Sequence, residues 1–204
     1  MINPDIEEIR DILAREAAAI QQIPVSEEYS RAVQLMYEKV HQRGGKIIAS
    51  GMGKAGHVAN HIATTLSSTG SPALFIHPSE AQHGDLGVIR ENDVLLLLSN
   101  SGKTREIIEL VDLTRKLHSG IPVVLITGNP EGKLVSRSEV VLFTGHPQEV
   151  CPLGLTPTTS ATSMAVVGDV LVVLLMKKIG FSEEDYARRH HGGYLGQKSR
   201  EKRP

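Results

Sequence analysis

This sequence is poor in cysteine and in aromatic rings. Cys151 is its single cysteine, so no disulfide can form within the chain, and the composition suits a reducing compartment. Tryptophan is absent and aromatics make up 3% of residues, which removes the stacking platforms used on single-stranded nucleic acids. An excess of charge is missing too. The formal net charge is −1, so no basic field argues for nucleic acid. No apolar run reaches membrane length. The longest, Ala161 to Met176, is interrupted by Asp169 and predicts a buried core helix instead. The opening MINPDIEEIRD is acidic and amphipathic, unlike a signal peptide. The expectation is a cytoplasmic protein with neither membrane nor nucleic acid as partner.

What is present suffices for one domain of 204 residues, with a core of Val, Ile, Leu, Ala and Met. Residues 1–43 read as a helical flank. Asn3 or Asp5 can cap a helix bearing Ile6, Ile9, Leu13, Ala17 and Ile20, and Pro24 ends it. Ser26 opens a second helix, with a stripe of Ala32, Val33, Met36, Tyr37 and Val40, which Arg43-Gly44-Gly45 stops. Residues 44–180 then alternate. Strand-like runs fall at 46–50, 72–77, 93–98, 122–127 and 140–144, and helical patterns at 57–68, 104–118 and 158–179, with a short one at 132–138. Ser182-Glu183-Glu184 starts a last helix, inside a segment 181–196 expected to cover a site, and 197–204 is a polar, loose tail. The strand runs are continuously apolar rather than alternating. That is the pattern of a parallel sheet with helices on both faces, an α/β three-layer sandwich of five strands.

Such sheets bind ligands beyond the carboxyl ends of their strands, and three unusual loops fall there. After the third strand comes Ser99-Asn100-Ser101-Gly102-Lys103-Thr104, opening a helix. A helix N-terminus with added hydroxyls is a phosphate cradle. A Walker motif needs glycine five positions before Gly102, and Leu97 stands there, so the loop suits a single phosphate and not a nucleoside triphosphate. Ser and Thr as plain helix caps are the simpler alternative. After the first strand comes Gly51-Met52-Gly53-Lys54-Ala55-Gly56, a GxGxxG pattern. No acid follows the second strand to hold a ribose, which argues against a dinucleotide. Glycines serving only tight packing would leave Lys54 unexplained. The loop 77–87 holds His77, His83 and Asp85 without metalloprotease spacing. No metal is expected, with His83 the one candidate ligand. Near the fifth strand, Gln148 to Ser160 carries Glu149, read either as a site carboxylate or as a solvated acid. It also carries Cys151, which has no base beside it in sequence. Arg188 to Gly196 offers His190 and His191 before a double glycine.

Taken in order, GMGKAGH, HPSEAQHGDLG, LLSNSGKTREI, PVVLITGNP, QEVCPLGLTPTTS and HHGGYLG resemble the sugar isomerase (SIS) domain of D-arabinose-5-phosphate isomerases, over about residues 40 to 196. The resemblance is to the short form that lacks the paired CBS domains of longer members. It implies interconversion of D-ribulose 5-phosphate and D-arabinose 5-phosphate for synthesis of Kdo, a sugar of lipopolysaccharide and some capsules. It further implies a homotetramer with sites shared between subunits. Lys54, Glu106, Glu149 and His190 fall on family catalytic positions. Gly53, His83, Ser99, Asn100, Ser101, Thr104, Thr158 and His191 form the expected substrate-binding set. The chain departs from many members at Lys103-Thr104-Arg105, which makes the phosphate end more positive, and at His191, where proline is common.

Aldose–ketose isomerisation through an enediol needs a base and an electrophile, and no redox cofactor. On this reading Glu149 transfers the proton, with Glu106 the rival for that role. Lys54 stabilises the enediolate, while Glu106 and His190 handle hydroxyl protons. Without CBS domains, Kdo or its CMP-activated form is the expected feedback ligand, its carboxylate meeting Lys54 and the histidines at the same site. The alternatives are a non-catalytic regulatory phosphosugar module, or an isomerase of another phosphosugar.

Overall fold

The computed structural model describes residues 4–192. Five strands form a parallel sheet: β1 (Ile47–Gly51), β2 (Ala73–Phe75), β3 (Val94–Leu98), β4 (Val123–Thr127) and β5 (Val140–Phe143), in the order β2-β1-β3-β4-β5. Three of them, β1, β3 and β4, are buried at every residue. Successive side chains therefore enter two different cores. Ile47, Ala49, Leu96, Leu98 and Ile126 face α2 (Glu28–Met36), α3 (Gly53–Ser68) and α6 (Thr159–Ile179). Ile48, Leu95, Leu97 and Leu125 face α5 (Arg105–Leu117) and the single turn α4 (Pro78–Ala81). This is the expected three-layer sandwich. The first helix, α1 (Pro4–Gln21), lies on α6. By length and mean hydropathy, 1.8, α6 matches a membrane span. Here it packs against α1, α2 and α3.

Several boundaries differ from the sequence reading. The second helix widens into a π-helix at Tyr37–Gln42 before it stops. The helix after β1 begins at Gly53, four residues early. Glycines are poor helix formers, yet here they permit contact. A Cβ on Gly56 would lie 2.5 Å from the Gly51 carbonyl oxygen. The packing alternative thus explains Gly51 and Gly56, and Gly53 turns the chain at φ +57°. Strand β2 is only three residues, an edge strand bounded by Pro72 and Pro78. The loop 77–87 contains α4 and a 3₁₀ turn, Asp85–Val88. The short helix at 132–138 is a 3₁₀ turn, Val135–Arg137. The last helix, α7 (Glu183–Arg189), starts with a reciprocal Ser182–Asp185 capping box. Asn3, the double glycine with Gly193, and the tail 197–204 lie outside the described residues.

Candidate functional site

The strand order places a topological switch between β1 and β3, because the chain leaves β1 toward β2 on one side and returns as β3 on the other. A crevice opens at the carboxyl ends of such a pair. It is a cleft of about 270 Å³. The β1 side contributes Met52, Lys54 and Ala55. The β3 side contributes Ser99, Asn100, Ser101 and Thr104, and the start of α6 closes it with Pro157, Ser160 and Met164.

The Ser99 loop is braced from behind. Gly102 adopts φ +61° and lies against Gly132, where a Cβ would come within 2.7 Å of the Gly102 Cα. Asn129 Nδ2 donates to the Ser101 carbonyl at 2.8 Å, and the Leu134 amide donates to the Gly102 carbonyl at 3.0 Å. The Ser99 and Thr104 hydroxyls share a hydrogen bond of 2.8 Å. Thr104 is the N-cap residue of α5, but its side chain caps no amide, so the plain-cap alternative fails for it. Among the described residues, the amides of Asn100, Ser101 and Thr104 have no protein acceptor. These donors, the first turn of α5 and Lys54 together form an anion cradle. The Lys54 side chain is exposed at the first turn of α3.

Glu149 is not a solvated acid. Its Oε2 accepts the Thr158 amide at 2.7 Å, the Thr158 hydroxyl at 2.9 Å and the Ser160 amide at 3.3 Å. The carboxylate thereby caps the positive end of α6, beside the cleft-lining Ser160. Burial pushes its carboxyl up, but the Ser160 and Thr158 hydrogen bonds outweigh burial and hold it below its ordinary value. Thr158, expected to bind substrate, commits both its amide and its hydroxyl to Glu149. Cys151 lies two residues on. The Thr156 amide donates to its Sγ at 3.2 Å. This bond and further backbone donors lower the thiol to about 7, against the opposing pull of burial.

The other expected residues are spread more widely. Glu106, in the first turn of α5, is part-exposed, 4.0 Å from Arg105 Nη2, and does not line the cleft. His83 is exposed after α4. His190 is stacked on Tyr186 at 3.7 Å, with Nδ1 3.0 Å from the Tyr186 carbonyl oxygen, and His191 is exposed beyond it. Neighbouring Arg189 lines a groove with Asn60, Thr64 and Ser67, toward the far end of α3. Lys54 and Ser67 are about 20 Å apart along that helix. His190 does not line the cleft of its own chain. No cluster of three or more metal-ligating side chains exists among the described residues.

Sequence reasoning missed the brace from Asn129 and Gly132 and the wall from Pro157, Ser160 and Met164. Each lies 25 or more residues from the loops it meets, and although Asn129, Pro157 and Ser160 fall inside noted motifs, nothing local ties them to those loops.

Comparison with known proteins bears on this site. A family model, the SIS domain, matches residues 39–174. A Bacteroides fragilis structure, provisionally assigned as a phosphosugar isomerase involved in capsule formation, is 58% identical. It aligns with TM-score 0.91 over 93% of this chain and 98% of its own. An Escherichia coli CFT073 protein in complex with arabinose 5-phosphate is 31% identical, with TM-score 0.84, covering 93% of this chain and all of its own. Arabinose 5-phosphate isomerase KdsD of Yersinia pestis is 43% identical over 91% of this chain and 55% of its own length. The chain spans about half the length of the curated relatives it matches.

Proposed function

Because this chain belongs to the SIS domain family, we propose that its cleft binds a pentose phosphate and interconverts D-ribulose 5-phosphate and D-arabinose 5-phosphate, supplying Kdo synthesis for lipopolysaccharide or capsule. The observation that carries the reading is the junction of an anion cradle, Ser99 to Thr104, with Lys54 on one wall and the carboxylate-capped start of α6 on another. A 31% identical relative holds arabinose 5-phosphate, and relatives at 43% to 49% identity are arabinose 5-phosphate isomerases.

The Ser99, Ser101 and Thr104 hydroxyls and loop amides hold the phosphate, with Gly53 and Asn100 shaping the walls. Remote binding energy then positions C1 and C2. Glu149 removes the proton from one carbon and returns it to the other. One oxygen, Oε2, is committed to Thr158 and Ser160, which leaves Oε1 for the proton. The Lys54 ammonium stabilises the enediolate oxygen. Glu106 moves hydroxyl protons. His190, with His83 and His191, serves the cleft of a neighbouring copy, so segment 181–196 completes another subunit's site. That arrangement requires an oligomer, proposed as a homotetramer. The apolar residues Ile9, 54% exposed, and Leu13, 64% exposed, support this, since α1 leaves them uncovered. The enzyme works in the cytoplasm, with its single cysteine reduced. Kdo or CMP-Kdo, entering by its carboxylate at Lys54, is the proposed feedback ligand.

Two measurements test this. Purified protein is assayed with ribulose 5-phosphate, where turnover is expected. Phosphosugar binding without turnover would instead favour the regulatory module. Glu149→Gln is then followed in deuterated water. Loss of C–H exchange with retained ligand binding is expected, and retained exchange would transfer the role of base to Glu106.

A further inference from the structure

The peptide unit between Glu149 and Val150 is held at both of its polar atoms. Its carbonyl oxygen accepts from Arg15 Nη2 at 3.2 Å. Its N–H, on Val150, is shared between Thr158 Oγ1 and Thr159 Oγ1, each at 3.2 Å. Thr159 is buried, and its hydroxyl donates to Glu16 Oε1 at 2.9 Å. A hydroxyl has one proton and two lone pairs. With the Thr159 proton given to Glu16, a lone pair is turned toward Val150. Thr158 does the same, its proton going to Glu149 Oε2 at 2.9 Å. Arg15 and Glu16 are consecutive on α1, yet they act on opposite ends of one peptide plane more than 130 residues away.

We propose that Arg15 and Glu16 are positioning residues for the base: α1 sets the plane of the Glu149–Val150 peptide and so the direction in which Glu149 presents Oε1 to the substrate. The inference rests on Glu149 being the base of the proposed isomerase. A second observation bears on it. The other Glu16 oxygen, Oε2, is buried without a partner among the described residues. A buried, unpaired carboxylate oxygen works against stability. Holding α1 onto α6 needs no such group, because the two helices already meet and Ile20, Val166 and Val170 give that junction an apolar lining. A local arrangement that works against stability marks a functional task, and the paired oxygen, Oε1, performs it through Thr159. Through Arg15 and Glu16 alone, α1 thus takes part in orienting the base.

Steady-state kinetics on ribulose 5-phosphate test this in wild type, Glu16→Ala, Glu16→Gln and Arg15→Met. Glu8→Ala, at an exposed α1 position, is the control. A misdirected base loses rate and not affinity. Glu16→Ala is therefore expected to lower kcat roughly 10- to 100-fold while KM stays within about twofold. Glu16→Gln keeps an oxygen to accept from Thr159 and is expected to recover most of kcat, and Glu8→Ala to match wild type. If Glu16→Ala does not fold, Arg15→Met carries the same expectation of lower kcat at unchanged KM. A loss confined to KM, an unaffected kcat, or a Glu16→Gln enzyme as impaired as Glu16→Ala would overturn the inference. Wild-type inactivity would remove the isomerase reading and this inference with it. Normal wild-type turnover with any of those variant results removes this inference alone.

Discussion

Among single residues, Glu149 shows how a carboxylate acquires a role from its surroundings. Three donors converge on one of its oxygens, and they hold the group ionised to lower pH than an ordinary glutamate. A base is active when deprotonated, so kcat is expected to fall only when pH drops through this lowered value. Thr158→Val removes one donor. The acid limb of its kcat profile should then move upward, and a profile superimposable on wild type would show that Glu149 does not set the limb. Cys151 gives a second reading at this scale. Alkylation by iodoacetamide should rise with pH about a midpoint of about 7, and Cys151→Ala should abolish it. A midpoint near 9 would mean that the Thr156 amide does not stabilise the thiolate. Glu149 was visible as a candidate in the sequence, whereas Cys151 was set aside there for want of a base beside it. Their environments were not visible, because the donors to Glu149 lie 9 to 11 residues on, across an irregular Pro- and Gly-containing turn.

Among the elements, the β3–α5 loop depends on a neighbour for its shape. Gly132→Ala would place a methyl against the Gly102 backbone. The expected cost is about 1–3 kcal/mol of stability and a several-fold rise in KM, since the loop that moves is the proposed phosphate cradle. Denaturation and kinetics together check this, and an unchanged KM would argue that the loop gives way without losing its donors. The Ser99-to-Thr104 motif was legible because its residue types and its place after an apolar run already specify an anion site. Its brace was not, because Asn129 and Gly132 meet it only once β3 and β4 pair. Strand β1 was legible in the same way, whereas the early start of α3 was not. Helix propensity argued against Gly53 and Gly56, and a close strand-to-helix approach overrode it.

Across the molecule, stability and function sit at opposite edges of the sheet. At the amino-terminal edge, the buried Asp93 carboxylate accepts Lys46 Nζ at 2.7 Å and the Lys46 and Arg90 amides at 2.9 and 2.7 Å, tying β1 to β3. Asp93→Ala should cost about 2–4 kcal/mol and leave kcat near wild type wherever the protein remains folded. A large loss of kcat without loss of stability would contradict that separation. The uncovered α1 face makes a further prediction. Leu13→Asp should yield a smaller species by light scattering, with activity falling alongside if sites are shared. A full-size oligomer would place the interface elsewhere.

The sequence by itself determined the layered α/β architecture, because continuously apolar strands separated by amphipathic helices have few other ways to bury both faces. It also determined the chemical character of the cleft, since hydroxyls, glycines and the lysines Lys54 and Lys103 beyond strand ends suit an anion whatever the packing. Tertiary structure alone decided the strand order, and so the crevice between β1 and β3. It decided that Glu149 is clamped by α6 and α1, and that His190 stacks on Tyr186 and does not line the cleft. The reason is one of range. Periodicity and residue type are local, whereas a crevice, a clamp and a brace arise from contacts between segments that the chain separates by tens of residues or more.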